Sequence, residues 1–162
     1  MNSVPPSKGI ARVRVIGVVV GVMIALQFIP VNRANPPVKA DLLASVKLDE
    51  TATQALHAAC YDCHSHETRW PFYARIAPVS WWVTRHVREG REHLNLSGWS
   101  TDRRWDTRAR LEAMTHALRN DSMPPTDYRW LHTTARLSAA DRTHLADALQ
   151  AAADQLKPLP AH

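Results

Sequence analysis

The sequence predicts an all-α domain behind a single apolar N-terminal helix, on the strength of three observations. An uncharged, mostly apolar stretch runs from residue 15 to residue 32. Beyond it, apolar residues recur at helical spacing, and no stretch shows the strict alternation that is typical of strands. Both cysteines of the 162-residue chain lie in one short segment, so the domain must form its core without a disulfide framework.

The N-terminal stretch has the length and the flanks of a membrane anchor. As a helix, residues 15–31 span roughly 25 Å, which is just long enough for a thin bilayer. Three basic residues precede it: Lys8, Arg12 and Arg14. Because positive flanks tend to stay inside, we predict that residues 1–14 are cytoplasmic and that residues 15–32 form a transmembrane anchor.

The alternative for this stretch is a cleaved signal peptide, since signal peptides also combine a basic start with an apolar core. The apolar run is long for a signal peptide, and the sequence V-N-R-A that ends at Ala34 is a poor cleavage site. We therefore favour a retained, single-pass anchor. Everything after it is then predicted to lie on the periplasmic side of a bacterial cytoplasmic membrane.

The remaining chain divides into a linker, a helical domain and a tail. Residues 33–45 include two adjacent prolines and are predicted to form the linker. Residues 46–157 carry the helical patterns, and residues 158–162 form the tail. Four helices are predicted in the domain: one that starts at a capping box, Thr51–Gln54, and reaches Cys60, one from Pro78 to about Gly90, one from about Thr101 to Arg119, and one that is capped by Ser138 and ends near Leu156.

The segment Cys60-Tyr61-Asp62-Cys63-His64 has the C-x-x-C-H spacing of a c-type haem attachment site. In a helix, Cys60, Cys63 and His64 lean to one face, because they stand at positions i, i+3 and i+4. Two thiols placed there can bond the vinyl groups of one porphyrin, while the imidazole holds the iron. We predict one covalent haem c, with thioethers at both cysteines and His64 as the proximal ligand. The alternatives are a thiol redox pair, which needs a βαβ context, and a zinc site, which needs additional histidines.

The ligand on the other side of the iron is open between three alternatives. Met123 precedes two prolines in a predicted loop, which could hold its thioether over the haem. His86 lies on the apolar stripe of the second predicted helix, and the third alternative is five-coordinate iron. Methionine ligation raises the reduction potential and suits electron transfer, whereas an open iron suits a sensor or a peroxidase.

Several segments after the motif match a known family in residue type and in order. They are Trp70-Pro71-Phe72-Tyr73, Pro78-Val79-Ser80-Trp81, His86, Gly90-Arg91, Asn95 to Trp99, and Met123-Pro124-Pro125. On these segments, residues 45–155 resemble the haem-binding domain family of bacterial membrane-anchored c-type cytochromes. The resemblance implies covalent haem binding, with electron transfer as the accompanying role. The chain departs from the family at His66, where a smaller polar residue is expected, and this histidine adds a candidate ligand.

The predicted fold is a small cytochrome c-like helical domain around one covalently attached haem, in which the first and last helices pack across one another. Four further side chains are predicted in the haem pocket: Arg69, Trp70, Tyr73 and Trp82. Indole N–H groups and guanidinium groups there could bond the haem propionates.

These features predict an electron carrier rather than an enzyme. The net charge of +5 is dispersed among acidic residues, which argues against nucleic acid and favours an acidic docking surface on a partner. We predict a membrane or periplasmic redox partner. The N-terminal helix makes the membrane itself a further partner. Two alternatives stay open: a haem-based sensor or peroxidase-like protein with an open iron site, and a zinc-binding structural module.

Overall fold

The structure is a computed structural model that describes residues 8–99 and 104–156. Over these residues the chain is helical and forms no strand, which confirms the all-α class. Three predicted features reach outside the described residues: the first part of the cytoplasmic N-terminus (1–7), the start of the helix predicted from Thr101, and the tail 158–162.

The α-helices within the described residues have these bounds: α1 (Lys8–Leu26), α2 (Leu42–Ser45), α3 (Glu50–Leu56), α4 (Asp62–His64), α5 (Val79–His93), α6 (Arg104–Arg119), α7 (Thr126–Leu131) and α8 (Ala139–Gln155). A π-helical turn, His57–Tyr61, joins α3 to α4, and 3-10 turns cover Phe72–Arg75 and Thr133–Ala135. The described chain divides into two compact units, of which the first comprises residues 8–33 and 70–85 and the second comprises residues 34–69 and 86–156.

The first unit consists of α1 and the segment of residues 70–85. Gly9–Leu26 in α1 is long and apolar enough to cross a membrane, and none of it is buried inside the structure. An apolar helix that is left uncovered is not the core helix of a soluble domain. A membrane span and a signal sequence both have this character.

Hydrogen bonds join residues 70–85 to the chain just after α1. The side-chain amide of Gln27 donates to the carbonyl of Ala77 (3.1 Å) and accepts from the N–H of the same residue (3.0 Å). The guanidinium of Arg33 donates to the carbonyl of Ala74 (3.2 Å). The first unit is therefore held together by polar contacts at the C-terminal end of its apolar helix.

The core of the second unit lies among α3, α6 and α8. The helices α6 and α8 pack along each other, and α3 packs on α8, as predicted for the first and last helices of the domain. The buried apolar side chains of these three helices are Ala52, Ala55, Leu56, Leu111, Met114, Leu118, Leu145, Ala146, Leu149 and Ala153. Their spacing of three or four residues gives each helix one apolar face.

Side-chain caps set the starts of two of these helices. Ser138 caps α8 as predicted, and its hydroxyl accepts from the N–H of Asp141 (3.0 Å). The capping box predicted at Thr51 is wrong, because Asp49 caps α3 and accepts from the N–H of Ala52 (2.9 Å). Aspartate is preferred over threonine at this position, and its negative charge also interacts favourably with the helix dipole.

Candidate functional site

The C-x-x-C-H motif lies where the π-helical turn meets α4. Cys60 is in the π-helical turn, whereas Cys63 and His64 are in α4, so the three residues do not share one regular α-helix as the prediction assumed. A π-turn inserts an extra residue into the helix, and such turns occur frequently at functional sites. Both cysteines are free thiols with half-buried side chains.

Burial keeps both cysteines in the thiol form. It raises the pKa of Cys60 to about 12 and that of Cys63 to about 11. The negative charge of Asp62 adds to the effect at Cys63. Redox-active C-x-x-C pairs have the opposite property, since their reactive thiol has a lowered pKa. The environment of these thiols therefore disfavours the thiol redox alternative.

The imidazole of His64 is fixed by a backbone carbonyl. Its Nδ1 lies 3.0 Å from the carbonyl oxygen of Leu94. With Nδ1 as the donor, the other ring nitrogen, Nε2, carries the lone pair that can bind a metal. Burial lowers the pKa of His64, although bonds to the Leu94 and Gly90 carbonyls oppose this shift. A neutral imidazole with its second nitrogen anchored is the form in which histidine ligates a metal.

The end of α5 passes directly against the motif. A Cβ atom on Gly90 would lie 2.6 Å from the carbonyl oxygen of Cys63, so only glycine fits there without a shift of the backbone. Beyond the helix end, the N–H of Leu96 donates to the carbonyl of His64 (2.7 Å). Residues 90–96 therefore hold the backbone of the motif as well as its imidazole.

A protein-family model for a haem-binding domain matches residues 21–151, which is most of the chain. The chain belongs to this haem-binding domain family. The resemblance found in the sequence is confirmed by this match. Searches of curated proteins and of solved structures gave no match.

The residues of this haem-binding domain fit the group that the family binds. His64 offers a neutral imidazole with Nε2 unprotonated, and two free thiols stand beside it in sequence. The second unit also buries the indole N–H of Trp99, which has no hydrogen-bond partner within the described residues. A buried donor of this kind requires an acceptor, and a haem carboxylate is one.

Asp62, between the two cysteines, joins three segments of the haem-binding domain. Its carboxylate accepts from the backbone N–H of Arg69 (3.0 Å) and from the guanidinium of the same residue (3.2 Å). It also accepts from the hydroxyl of Tyr128 in α7 (2.9 Å). Burial, together with the charge of Asp62, raises the pKa of Tyr128, so the phenol remains a donor. The structure therefore pairs Arg69 with Asp62, and its predicted contact with a haem propionate stays a prediction.

Arg91 makes a second set of bonds behind the motif. Its guanidinium donates to the carbonyl of Ser65 (2.8 Å), to the hydroxyl of Thr68 (2.9 Å) and to the side chain of Asn35 (2.9 Å). It also donates to the carbonyl of Ala34 (3.0 Å). The arginine of the predicted Gly90-Arg91 pair thus connects the loop after His64 to residues Ala34 and Asn35.

His66, the departure from the family pattern, uses both ring nitrogens within the protein. Its Nδ1 lies 3.1 Å from the carbonyl oxygen of Pro37, and its Nε2 lies 3.0 Å from the side-chain nitrogen of Asn95. A histidine that donates from Nδ1 and accepts at Nε2 has no lone pair left for iron. These bonds disfavour His66 as a ligand.

The two candidates for the sixth ligand differ in their surroundings. Met123 lies in the turn after α6, where its N–H bonds the carbonyl of Ala117 (3.3 Å), and its side chain is 41% exposed. His86 is half-buried in α5. The residues after Met123 lead into α7, whose Tyr128 bonds Asp62 within the motif. The sixth ligand stays a prediction for both candidates.

The remaining predicted pocket residues, Trp70, Tyr73 and Trp82, belong to the first unit, and their contact with haem stays a prediction.

For the zinc alternative, residues 8–99 and 104–156 contain no group of three or more His, Cys, Asp or Glu side chains placed to hold a metal ion.

The prediction from sequence missed three residues that organise the site, Asp62, Leu94 and Tyr128, and it named Arg91 only as part of the family pattern. Asp62 carried a signal, because a charged side chain inside the motif must find a partner once the motif is buried. The sequence contained no signal for Leu94, since this residue contributes only a backbone carbonyl.

Proposed function

We propose that the chain is a membrane-anchored, periplasm-facing monohaem c-type cytochrome that transfers electrons and is not a catalyst. One observation carries the proposal: a C-x-x-C-H motif with two free thiols, whose histidine is kept neutral by burial and is oriented by the Leu94 carbonyl. Membership in the haem-binding domain family supports the haem, and the motif adds the covalent attachment.

Each motif residue has a distinct role in holding the cofactor. Cys60 and Cys63 would hold it through thioether bonds, and Nε2 of His64 would ligate the iron. A bound haem supplies an iron centre that alternates between ferrous and ferric states. The hydrogen bond to the Leu94 carbonyl would make the imidazole a stronger electron donor and so favour ferric iron, and burial of the site would limit the access of water.

Two observations support a retained anchor over a cleaved signal peptide. The family match begins at residue 21, inside α1, so the end of this helix belongs to the matched region. Cleavage after Ala34 would also remove Gln27 and Arg33, which bond Ala77 and Ala74. Lys8, Arg12 and Arg14 lie in the N-terminal part of α1, before its uncharged stretch, and favour an N-terminus in the cytoplasm and a domain on the periplasmic side.

Covalent attachment is tested by a haem stain on a denaturing gel, after expression with the haem-attachment machinery. We expect the unaltered protein to retain the stain. The double variant Cys60→Ser/Cys63→Ser should lose it, and His64→Ala should lose the low-spin spectrum. His66→Asn is the matched control and should keep both, because both nitrogens of His66 bond protein groups. A properly matured protein without stain would overturn the proposal.

Electron transfer is tested through the sixth ligand. If Met123 ligates the iron, the ferric spectrum has a methionine-ligated, low-spin signature that Met123→Ala abolishes, while Met114→Leu in the core leaves it intact. If His86 ligates, the signature is that of two histidines and depends on His86 instead. A high-spin iron that binds carbon monoxide rapidly would contradict the carrier role and support a sensor or a peroxidase-like protein.

A further inference from the structure

We propose that residues 72–82 form a membrane-interface surface, which lies in the headgroup region of the bilayer beside the anchor. The inference rests on the proposed function, because it requires α1 to span a membrane. It concerns the first unit alone. The partner of this surface is the lipid bilayer itself, not a protein.

The segment exposes large apolar side chains at short, regular intervals. They are Phe72, Ile76, Val79 and Trp82. Phe72 is 77% exposed, whereas Ala74 and Ala77 between them are buried. Contiguous exposed apolar groups on a folded protein mark a contact surface, since isolated ones are ordinary but a cluster is not.

Residues 72–82 are bonded to residues just after α1, and this position favours lipid as the partner of the exposed surface. Gln27, the first residue after α1, makes two hydrogen bonds to Ala77, and Arg33 makes one to Ala74. These bonds tie the segment to the point where an anchor leaves the apolar core of a bilayer. At that depth, aromatic side chains are enriched because their rings fit the boundary between lipid and water.

The residues just after α1 are also apolar and exposed. Phe28 and Ile29 follow Gln27 and are exposed, so apolar surface continues past the end of the anchor. Arg75 is exposed among the apolar residues of the segment. A mixture of aromatic, aliphatic and basic side chains is typical of protein surfaces that lie in the plane of a membrane interface.

The proposal is tested by photo-crosslinking of the full-length holoprotein in vesicles of phosphatidylethanolamine and phosphatidylglycerol. The probe variant is Phe72→benzoylphenylalanine. The matched control is Trp130→benzoylphenylalanine, because Trp130 is 72% exposed but belongs to the second unit. Val19→benzoylphenylalanine, within α1, reports whether the anchor itself is in lipid.

We expect lipid adducts at positions 19 and 72, identified by peptide mass, and a yield at position 72 several-fold above that at position 130. Adducts at position 19 without any at position 72 would overturn the interface surface and leave the anchor standing. Equal yields at positions 72 and 130 would overturn it too, as would an adduct to protein at position 72 in native membranes. A lack of lipid adducts at position 19 would overturn the anchor, and the interface surface with it.

Discussion

Gly90 is where α5 comes closest to the haem-binding motif, and replacing it tests that contact. In an ordinary helix, alanine is more stable than glycine by about 1 kcal/mol. Here the added methyl group would lie 2.6 Å from the Cys63 carbonyl oxygen, so the backbone must move. We expect Gly90→Ala to lower the free energy of unfolding by about 1–3 kcal/mol, measured by urea denaturation of the holoprotein.

Gly98→Ala is the matched control for that substitution. Its Cβ would meet the side-chain nitrogen of Asn95 at 3.3 Å, and a side chain can give way where a backbone carbonyl cannot. The loss of stability should therefore be smaller than for Gly90→Ala. Equal losses would contradict a specific contact between α5 and the motif.

The bond from Tyr128 to Asp62 links α7 to the motif. Tyr128→Phe removes the hydroxyl but leaves the ion pair of Asp62 with Arg69. Because hydrogen bonds to charged groups contribute about 1.5–3 kcal/mol, we expect a loss of that size in the free energy of unfolding. Trp130→Phe, at an exposed position of the same helix, should change it by less than about 0.5 kcal/mol. Similar effects of the two variants would show that the bond contributes nothing specific.

Among single residues, those of the C-x-x-C-H motif could be predicted from the sequence, whereas the backbone group that orients its histidine could not. Cys60, Cys63 and His64 are adjacent in sequence, so their spacing alone indicates a haem site. The partner of His64 is the carbonyl of Leu94, thirty residues later, and every residue of a protein has such a carbonyl. Backbone groups become specific only when the fold has positioned them.

Among the helices, the contact between α3 and α8 includes an ion pair that responds to pH. The imidazole of His144 lies 3.0 Å from the carboxylate of Asp49. This bond raises the pKa of His144 above 6.5, while the Ala52 N–H and then His144 lower that of Asp49. Since the folded state holds the His144 proton more tightly, its stabilising effect is full below pH 6.5 and is lost as pH rises through the folded pKa.

We expect the difference in unfolding free energy between the unaltered protein and His144→Gln to be larger at pH 6 than at pH 8. Denaturant titrations at the two pH values measure it. Asp49→Asn keeps a capping side chain on α3 but removes the charge, so it should reduce the same pH dependence. A difference that does not change with pH would contradict the ion pair.

The helices themselves were predictable where their apolar periodicity was long. The sequence indicated α5, α6 and α8, and Ser138 marked the start of α8. It did not indicate α7, a helix of six residues directly after two prolines, because so short a segment has no measurable periodicity. Nor did it indicate the π-helical turn, since one inserted residue within a helix leaves no compositional trace.

Across the whole molecule, the haem motif and the apolar N-terminal helix belong to different compact units. Every residue that was found to support the motif belongs to the second unit: Asp62, Arg69, Gly90, Arg91, Leu94, Leu96 and Tyr128. The first unit combines the apolar helix with residues 70–85 through Gln27 and Arg33. The composition predicted an anchor followed by a helical domain, but not that a segment from the middle of the domain would bond to the residues just after the apolar helix.

This division predicts the effect of replacing the N-terminal segment that contains the apolar helix. If residues 1–33 are exchanged for a cleavable signal peptide, the second unit keeps its own contacts, so we expect a protein released from the membrane that still carries haem with an unchanged spectrum. The amide of Ala77 loses its acceptor on Gln27 and should exchange hydrogen roughly tenfold faster, as expected for a bond worth about 1.4 kcal/mol. The amide of Leu96, bonded to His64, serves as the internal control and should not change. Unchanged exchange at Ala77 would mean that Gln27 does not hold this segment, and loss of the haem spectrum would mean that the second unit depends on the anchor.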